Sequence, residues 1–179
     1  MKMKKLKQNI TRILAAMLVL TSFSACDEVG NTDAGGTSTQ ALAGDWFVQT
    51  SLNGKVVIGY KRISTYNTSA NDGKDMWIDD HGTIWLFKCK TPVNLGASTF
   101  AGNKLVSSVV DDDPDTKDVV ETYDITVNIT DGKVVKNGTK STGGHTVDAI
   151  SFKAEFSDDP GKIYEIAGYK RTGFAEDEH

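Results

Sequence analysis

The chain is 179 residues long and sets 20 Lys and Arg against 24 Asp and Glu, for a net charge of −4. An acidic balance repels phosphate backbones, which excludes nucleic acid as a partner. Cysteine stands only at positions 26 and 89, too few for a disulfide framework, so a hydrophobic core has to hold the fold.

The N-terminal segment reads as a secretory signal in three parts. Lys2, Lys4, Lys5, Lys7 and Arg12 form a basic start, residues 13–20 (ILAAMLVL) an apolar run, and Ser24-Ala25 a small-residue exit. A membrane span needs roughly 20 apolar residues, so this run is too short to be one. Phe23-Ser24-Ala25-Cys26 resembles the lipobox of bacterial lipoproteins, with Phe23 where that pattern usually has Leu. The resemblance implies cleavage before Cys26 and its lipidation (diacylglycerol on sulfur, a further acyl chain such as palmitate on nitrogen). Five of the 20 basic residues leave with the signal, so the mature chain sets 15 against 24 acidic ones. Residues 26–42 are rich in Gly, Thr, Ser and Asn, and read as a lipidated, flexible tether. Asp27-Glu28 after the anchor points to an outer-membrane address in the cell envelope.

One domain follows, over residues 43–175, with a disordered tail at 176–179. Its apolar residues recur with period two between turn signals, the pattern of an all-β chain. Strands are expected at 44–51 and 55–63 around Asn53-Gly54, a strong hairpin signal. Strands at 75–79 and 83–88 flank Asp80-His81-Gly82. Residues 119–130 place Tyr123, Ile125, Val127 and Ile129 on one face, and Asp131-Gly132 turns them into 133–136. The stretches 147–156 and 162–170 complete the series. About eight sequential antiparallel strands suit a closed up-and-down barrel, which leaves no exposed edge, with a sandwich as the other arrangement.

Gly44-Asp45-Trp46 opens the first strand and Tyr169-Lys170-Arg171-Thr172-Gly173-Phe174 ends the last. This pair resembles the lipocalin and wider calycin pattern, in which a basic side chain of the last strand packs over the indole of the first. It implies structural closure by Gly44, Trp46 and Arg171. With the lipobox and length, the chain resembles a bacterial lipoprotein family of lipocalin-like domains described as lipid-binding, putative hydrolase. That resemblance implies a calyx for an apolar ligand, a lipid or hydrophobic metabolite. Trp85, Phe87, Tyr123, Phe152, Phe156 and Tyr164 are candidates for its lining, and Trp77 and Trp85 flank a hairpin tip at its mouth.

Other chemistry finds little footing. No Gly-x-Ser-x-Gly elbow occurs, and the histidines are turn residue His81, loop residue His145 and terminal His179. A catalytic site is therefore not assigned, and hydrolase remains a third possibility. Neither His-Glu-x-x-His nor Cys-x-x-Cys occurs, so a zinc site is not expected. Asp111, Asp113 and Asp115 begin like a calcium loop, but Thr116 and Thr122 occupy the required Gly and Glu places, so no metal and no cofactor is expected. The leading expectation is a non-enzymatic envelope lipoprotein carrying a small apolar ligand. The alternative is a β-domain accessory that binds protein or glycan partners through its loops.

Overall fold

The computed structural model describes residues 35–111, 121–122 and 124–179, with backbone alone for 110–111 and 121–122. Cys26, the signal segment 1–25, residues 26–34 of the tether, the loop aspartates at 113 and 115 and Tyr123 lie outside them. The chain divides into Met1–Gly36, of which only 35 and 36 are described, and Thr37–His179.

Among the described residues ten strands follow in order within the second unit: β1 Gly44–Leu52, β2 Lys55–Asn67, β3 Asp75–Asp79, β4 Lys88–Asn94, β5 Thr99–Val106, β6 Val110–Asp111, β7 Glu121–Thr122, β8 Thr126–Lys140, β9 Thr146–Phe156 and β10 Tyr164–Lys170. Eight of them close an antiparallel barrel in the spatial order β1-β10-β9-β8-β5-β4-β3-β2. Every barrel neighbour is also a chain neighbour, apart from β1 and β10, whose pairing closes the barrel, and β5 and β8, between which β6 and β7 pair separately. The Asn53-Gly54 hairpin forms as its sequence demands: φ is 52° at Asn53 and 75° at Gly54, the left-handed pair of a tight two-residue turn.

The expected barrel is present, but one expected strand and one expected turn are not. Residues 83–87 are a loop, and the partner of β3 is β4, starting at Lys88. Asp131-Gly132 is no hairpin turn either. β8 runs straight through it as a bulge, with the register slipping between Thr130 and Lys133 against β9. Asp131 takes φ 55°, and a Cβ on Gly132 would lie 2.3 Å from the Phe100 carbonyl, so glycine serves close strand approach here and not chain reversal. Thr91, Pro92, Gly102 and Asn103 break the apolar rhythm, so β4 and β5 carry no clear period-two signal. Of the strand expected over 119–130, only its end joins the barrel, while 121–122 pairs with 110–111.

Inward side chains form one buried cluster, from Trp46 and Val48 on β1 through Ile63, Met76 and Ile78 to Phe152, Phe156 and Ile166. Burial of this apolar surface is the main stabilising contribution, at about 25 cal/mol per Å². Closure rests on β1, which pairs with β2 on one side and with β10 on the other, from Trp46↔Lys170 to Leu52↔Tyr164. A Cβ at Gly168 would lie 1.9 Å from the Phe47 carbonyl, so only glycine lets the two strands meet this closely. The indole of Trp46 is wholly buried, and its Nε1 donates to Thr65 Oγ1 at 2.8 Å. That hydroxyl in turn donates to the Leu42 carbonyl at 2.6 Å.

The cation over the indole is Lys170, its Nζ 5.7 Å from the ring centroid, and not the expected Arg171. Alternation explains the correction. Trp46 pairs with Lys170, so both project to the inner side, while Arg171 lies beyond the strand and turns to Glu178, donating from Nε at 2.7 and 3.0 Å.

The packed chain also extends past both expected bounds. Thr39 and Leu42 are fully buried ahead of residue 43. At the other end, His179 stacks on Tyr60 at 4.2 Å and meets the Tyr169 hydroxyl at 2.6 Å. Asp177 is fully buried and accepts from Gly143 N–H and, at 2.7 Å, from Thr172 Oγ1. A terminal segment with these partners is ordered, where composition alone reads as a frayed tail.

Burial works against the charge of Asp177, but the hydrogen bonds from Gly143, Thr172 and Ser141 prevail and hold its pKa near about 2, below 3.8. A depressed carboxylate stabilises the fold above its unfolded value, and that contribution disappears as pH falls through the folded one. Wild-type unfolding midpoints should therefore drop between about pH 4 and pH 2 more steeply than those of Asp177→Asn. Lys170→Ala should lower stability by about 1 kcal/mol through the lost indole contact, whereas Arg171→Ala leaves the denaturation midpoint in place.

Candidate functional site

The loop 80–87 between β3 and β4 is built around one buried carboxylate. Asp80 has no exposed surface. Its Oδ1 accepts from the N–H groups of Gly82 and Phe87 at 2.8 and 2.9 Å. Its Oδ2 accepts from Ile84 and Trp85 at 3.1 and 2.7 Å. Four backbone donors are thus satisfied by one side chain, which is why the segment forms a loop where its alternation reads as a strand. The loop turns Phe87 fully inward and lays Trp85, half-buried, over the barrel end.

Trp85 stacks on Phe156 with centroids 4.5 Å apart and planes 4° from parallel. Tyr164 lies 4.9 Å from the same indole. Phe87 meets Phe156 at 5.4 Å, and Phe156 meets Tyr164 at 5.9 Å. Three separate segments (the loop, the end of β9 and the start of β10) therefore supply one aromatic patch. The turn after β9 holds its polar tips. Trp85 Nε1 donates to both oxygens of Asp158 at 3.0 and 3.2 Å. The Tyr164 hydroxyl donates to Asp159 Oδ2 at 2.7 Å, and that bond, with burial, pushes the phenol up to about 12.

Four of the six candidate lining residues thus meet at the mouth. Phe152 lies elsewhere on the inner wall, facing Phe100 at 5.7 Å, and Tyr123 is outside the described residues. The four pack against one another and against the interior instead of standing around an open cup. Trp77, expected at the mouth, lies on the outer face, with Lys88 Nζ 5.5 Å from its ring and 5.5 Å from that of Tyr66.

A groove of about 910 Å³ crosses the outer side of β4, β5, β8, β9 and β10. Ala101, Ser151 and Ala167 line it as small outward residues, and Asp131, Lys133, Lys153 and Glu165 add charge around them. Lys153 Nζ sits 2.9 Å from Asp131 Oδ2 across it. The bulge at Asp131-Gly132, read from sequence as a turn, lies in its wall. No sequence signal marked this surface.

Cys89, His145 and His81 also receive places. Cys89 is fully buried, and burial pushes its thiol up to about 11. His145 sits 3.2 Å from Glu176 at the C-terminal turn. His81 Nε2 lies 2.7 Å from Ser64 Oγ, a residue that no sequence motif marks.

A family model described as a lipid-binding putative hydrolase matches residues 31–175 of the chain. No curated protein matches it.

Removing the Asp80 carboxylate leaves several loop N–H groups without an acceptor, each worth roughly 1–3 kcal/mol when buried. Asp80→Ala should cost about 3–5 kcal/mol in denaturant unfolding and abolish the near-ultraviolet dichroism of the Trp85–Phe156 stack. Asp80→Asn, which keeps one acceptor oxygen, should recover part of both.

Proposed function

The chain belongs to the lipid-binding putative hydrolase family, and from that membership we propose that it carries a small apolar ligand, a lipid or hydrophobic metabolite, at the aromatic mouth of its barrel. The observation behind this reading is the convergence of Trp85, Phe87, Phe156 and Tyr164 at one barrel end under a loop. The Trp85 ring is held by contacts with the Phe156 and Tyr164 rings and by hydrogen bonds to a rim carboxylate, so it can swing outward without unpairing any strand. An acyl chain inserted beneath it exchanges aromatic contacts for new apolar ones and gains about 0.8 kcal/mol per buried methylene. The N-terminal pattern supports an address to go with this role, on the bacterial envelope and in the outer membrane, with lipid on Cys26 as the anchor.

The outer groove supports a second reading, an accessory domain that takes a protein or glycan partner on its outer face. Its mixed charges and small central residues suit a polar surface better than an acyl chain.

Titration of the full chain with a neutral fluorescent naphthylamine probe separates the two. Saturable binding is expected, weakened about tenfold in Trp85→Ala, the equivalent of about 1.4 kcal/mol, and unchanged in the groove variant Ala167→Trp. Absence of saturable binding, or indifference to Trp85→Ala, removes the mouth from consideration. Binding that responds to Ala167→Trp alone moves the site to the groove.

A further inference from the structure

Away from the mouth and the groove, four polar residues meet on the outer side of the first three strands. Asp45 on β1 pairs in register with Ser64 on β2, and Ser64 pairs with Asp79 on β3. Paired residues of an antiparallel sheet project to the same side, so the three side chains stand in a row. His81 reaches this row from the loop after β3. Its backbone takes φ 52°, a left-handed conformation that histidine tolerates better than most residues. Asp79 Oδ1 accepts the His81 N–H at 3.0 Å, a local turn that folds the imidazole back over the sheet.

The resulting distances are those of a nucleophile, a base and an orienting acid. Ser64 Oγ lies 2.7 Å from His81 Nε2. His81 Nδ1 lies 3.6 Å from Asp79 Oδ1, a separation of the kind that tightens when substrate arrives. Burial opposes the charge on Asp79, yet the His81 N–H, the Tyr66 hydroxyl at 3.0 Å and Lys88 at 3.5 Å hold its carboxyl below the usual range. An ionised Asp79 favours the tautomer with its proton on Nδ1, which leaves the Nε2 lone pair facing Ser64. The Ser64 hydroxyl also donates to Asp45, so its single proton has two acceptors and reaches His81 by rotation about the Cβ–Oγ bond. Ser64 is 8 % exposed, while Asp45 and the imidazole beside it are open to water.

The geometry points to a second site, in which Ser64 is an acyl-accepting nucleophile, His81 its base and Asp79 a positioning residue, acting on small carboxylic esters. Ser64 Oγ forms a bond to the ester carbonyl carbon as its proton passes to His81 Nε2. The bond from that carbon to the alkoxy oxygen then breaks, and the leaving alcohol takes the proton from Nε2. Water attacks the acyl-serine in the same way, passing a proton through the imidazole back to Ser64 Oγ and releasing the carboxylic acid. This activity does not depend on ligand carriage at the mouth, so each can fail alone.

The test uses the full chain with a fluorophosphonate, which loses fluoride when an activated serine attacks its phosphorus. Intact mass and peptide mapping should place one adduct on Ser64, and Ser64→Ala should abolish it. His81→Asn keeps a residue suited to the left-handed backbone but supplies no comparable base, and should slow labelling by about 10²-fold or more. Asp79→Asn should slow it as well and change its pH profile, a readout that a purely structural role would not move. Both Ser64→Ala and His81→Asn should retain naphthylamine binding and the wild-type melting temperature. No adduct on Ser64, or an adduct formed at the wild-type rate in His81→Asn, overturns the site. Loss of probe binding with labelling intact would instead count against the mouth.

Discussion

β1 hydrogen-bonds along both of its sides, and the rest of the molecule follows from that. Were it paired on one side only, the sheet would have two edges and its apolar face would need another layer to cover it. Pairing with β10 turns the same face into an interior that covers itself. Two residues permit the join. Gly168 leaves room for the Phe47 carbonyl, and Trp46 fills the inner side of the seam beneath Lys170. The C-terminal turn adds a second fastening outside, where Tyr60, Phe47, Tyr169 and His179 pack as rings. The seam is thus held from within by an indole and from without by an aromatic cluster.

A second constraint operates where β3 ends. Asp79, Asp80 and His81 are consecutive, and each serves a different part of the molecule. Asp80 turns inward and gathers the N–H groups that shape the loop carrying Trp85 and Phe87. Asp79 stays on the outer face and meets Tyr66, Lys88 and His81. His81 folds back to Ser64. One short turn therefore supports both the aromatic mouth and the polar row, and the two are linked through backbone geometry even though they face different surroundings.

The division of labour between outer and inner faces also explains the groove. The bulge at Asp131-Gly132 shifts the register of β8 against both neighbours, and its glycine lets Phe100 approach from inside. Outside, the same stretch contributes Asp131 and Lys133 to a wall opposite small residues on β9 and β10. An irregularity needed for packing on one side thereby leaves a concavity on the other.

Much of the barrel could be read from local chemistry. Period-two burial in β9, the Asn53-Gly54 turn and the Gly44-to-Trp46 opening each depend on neighbours within a few positions, so the chain carries them openly. The aromatic character of the mouth was legible for the same reason, since Trp85, Phe87, Phe156 and Tyr164 are large apolar residues in strand-like surroundings. Turn and bulge were not separable, because Asp-Gly favours a left-handed residue in both and only the strand beside it decides which forms. Nor could the choice of Lys170 over Arg171 be read, since it depends on where β10 stops alternating. Loop 80–87 looked like a strand until the Asp80 carboxylate met its four donors. Ser64 and His81 were brought together by the pairing of β2 with β3, across seventeen positions. The amino-acid order by itself determined an all-β chain of about eight antiparallel strands, because burial and turn propensity act locally, whereas closure into a barrel with a packed interior needed β1 to meet β10. Which polar groups meet on its surface was decided only by tertiary structure, because strand register sets those distances and no single segment contains it.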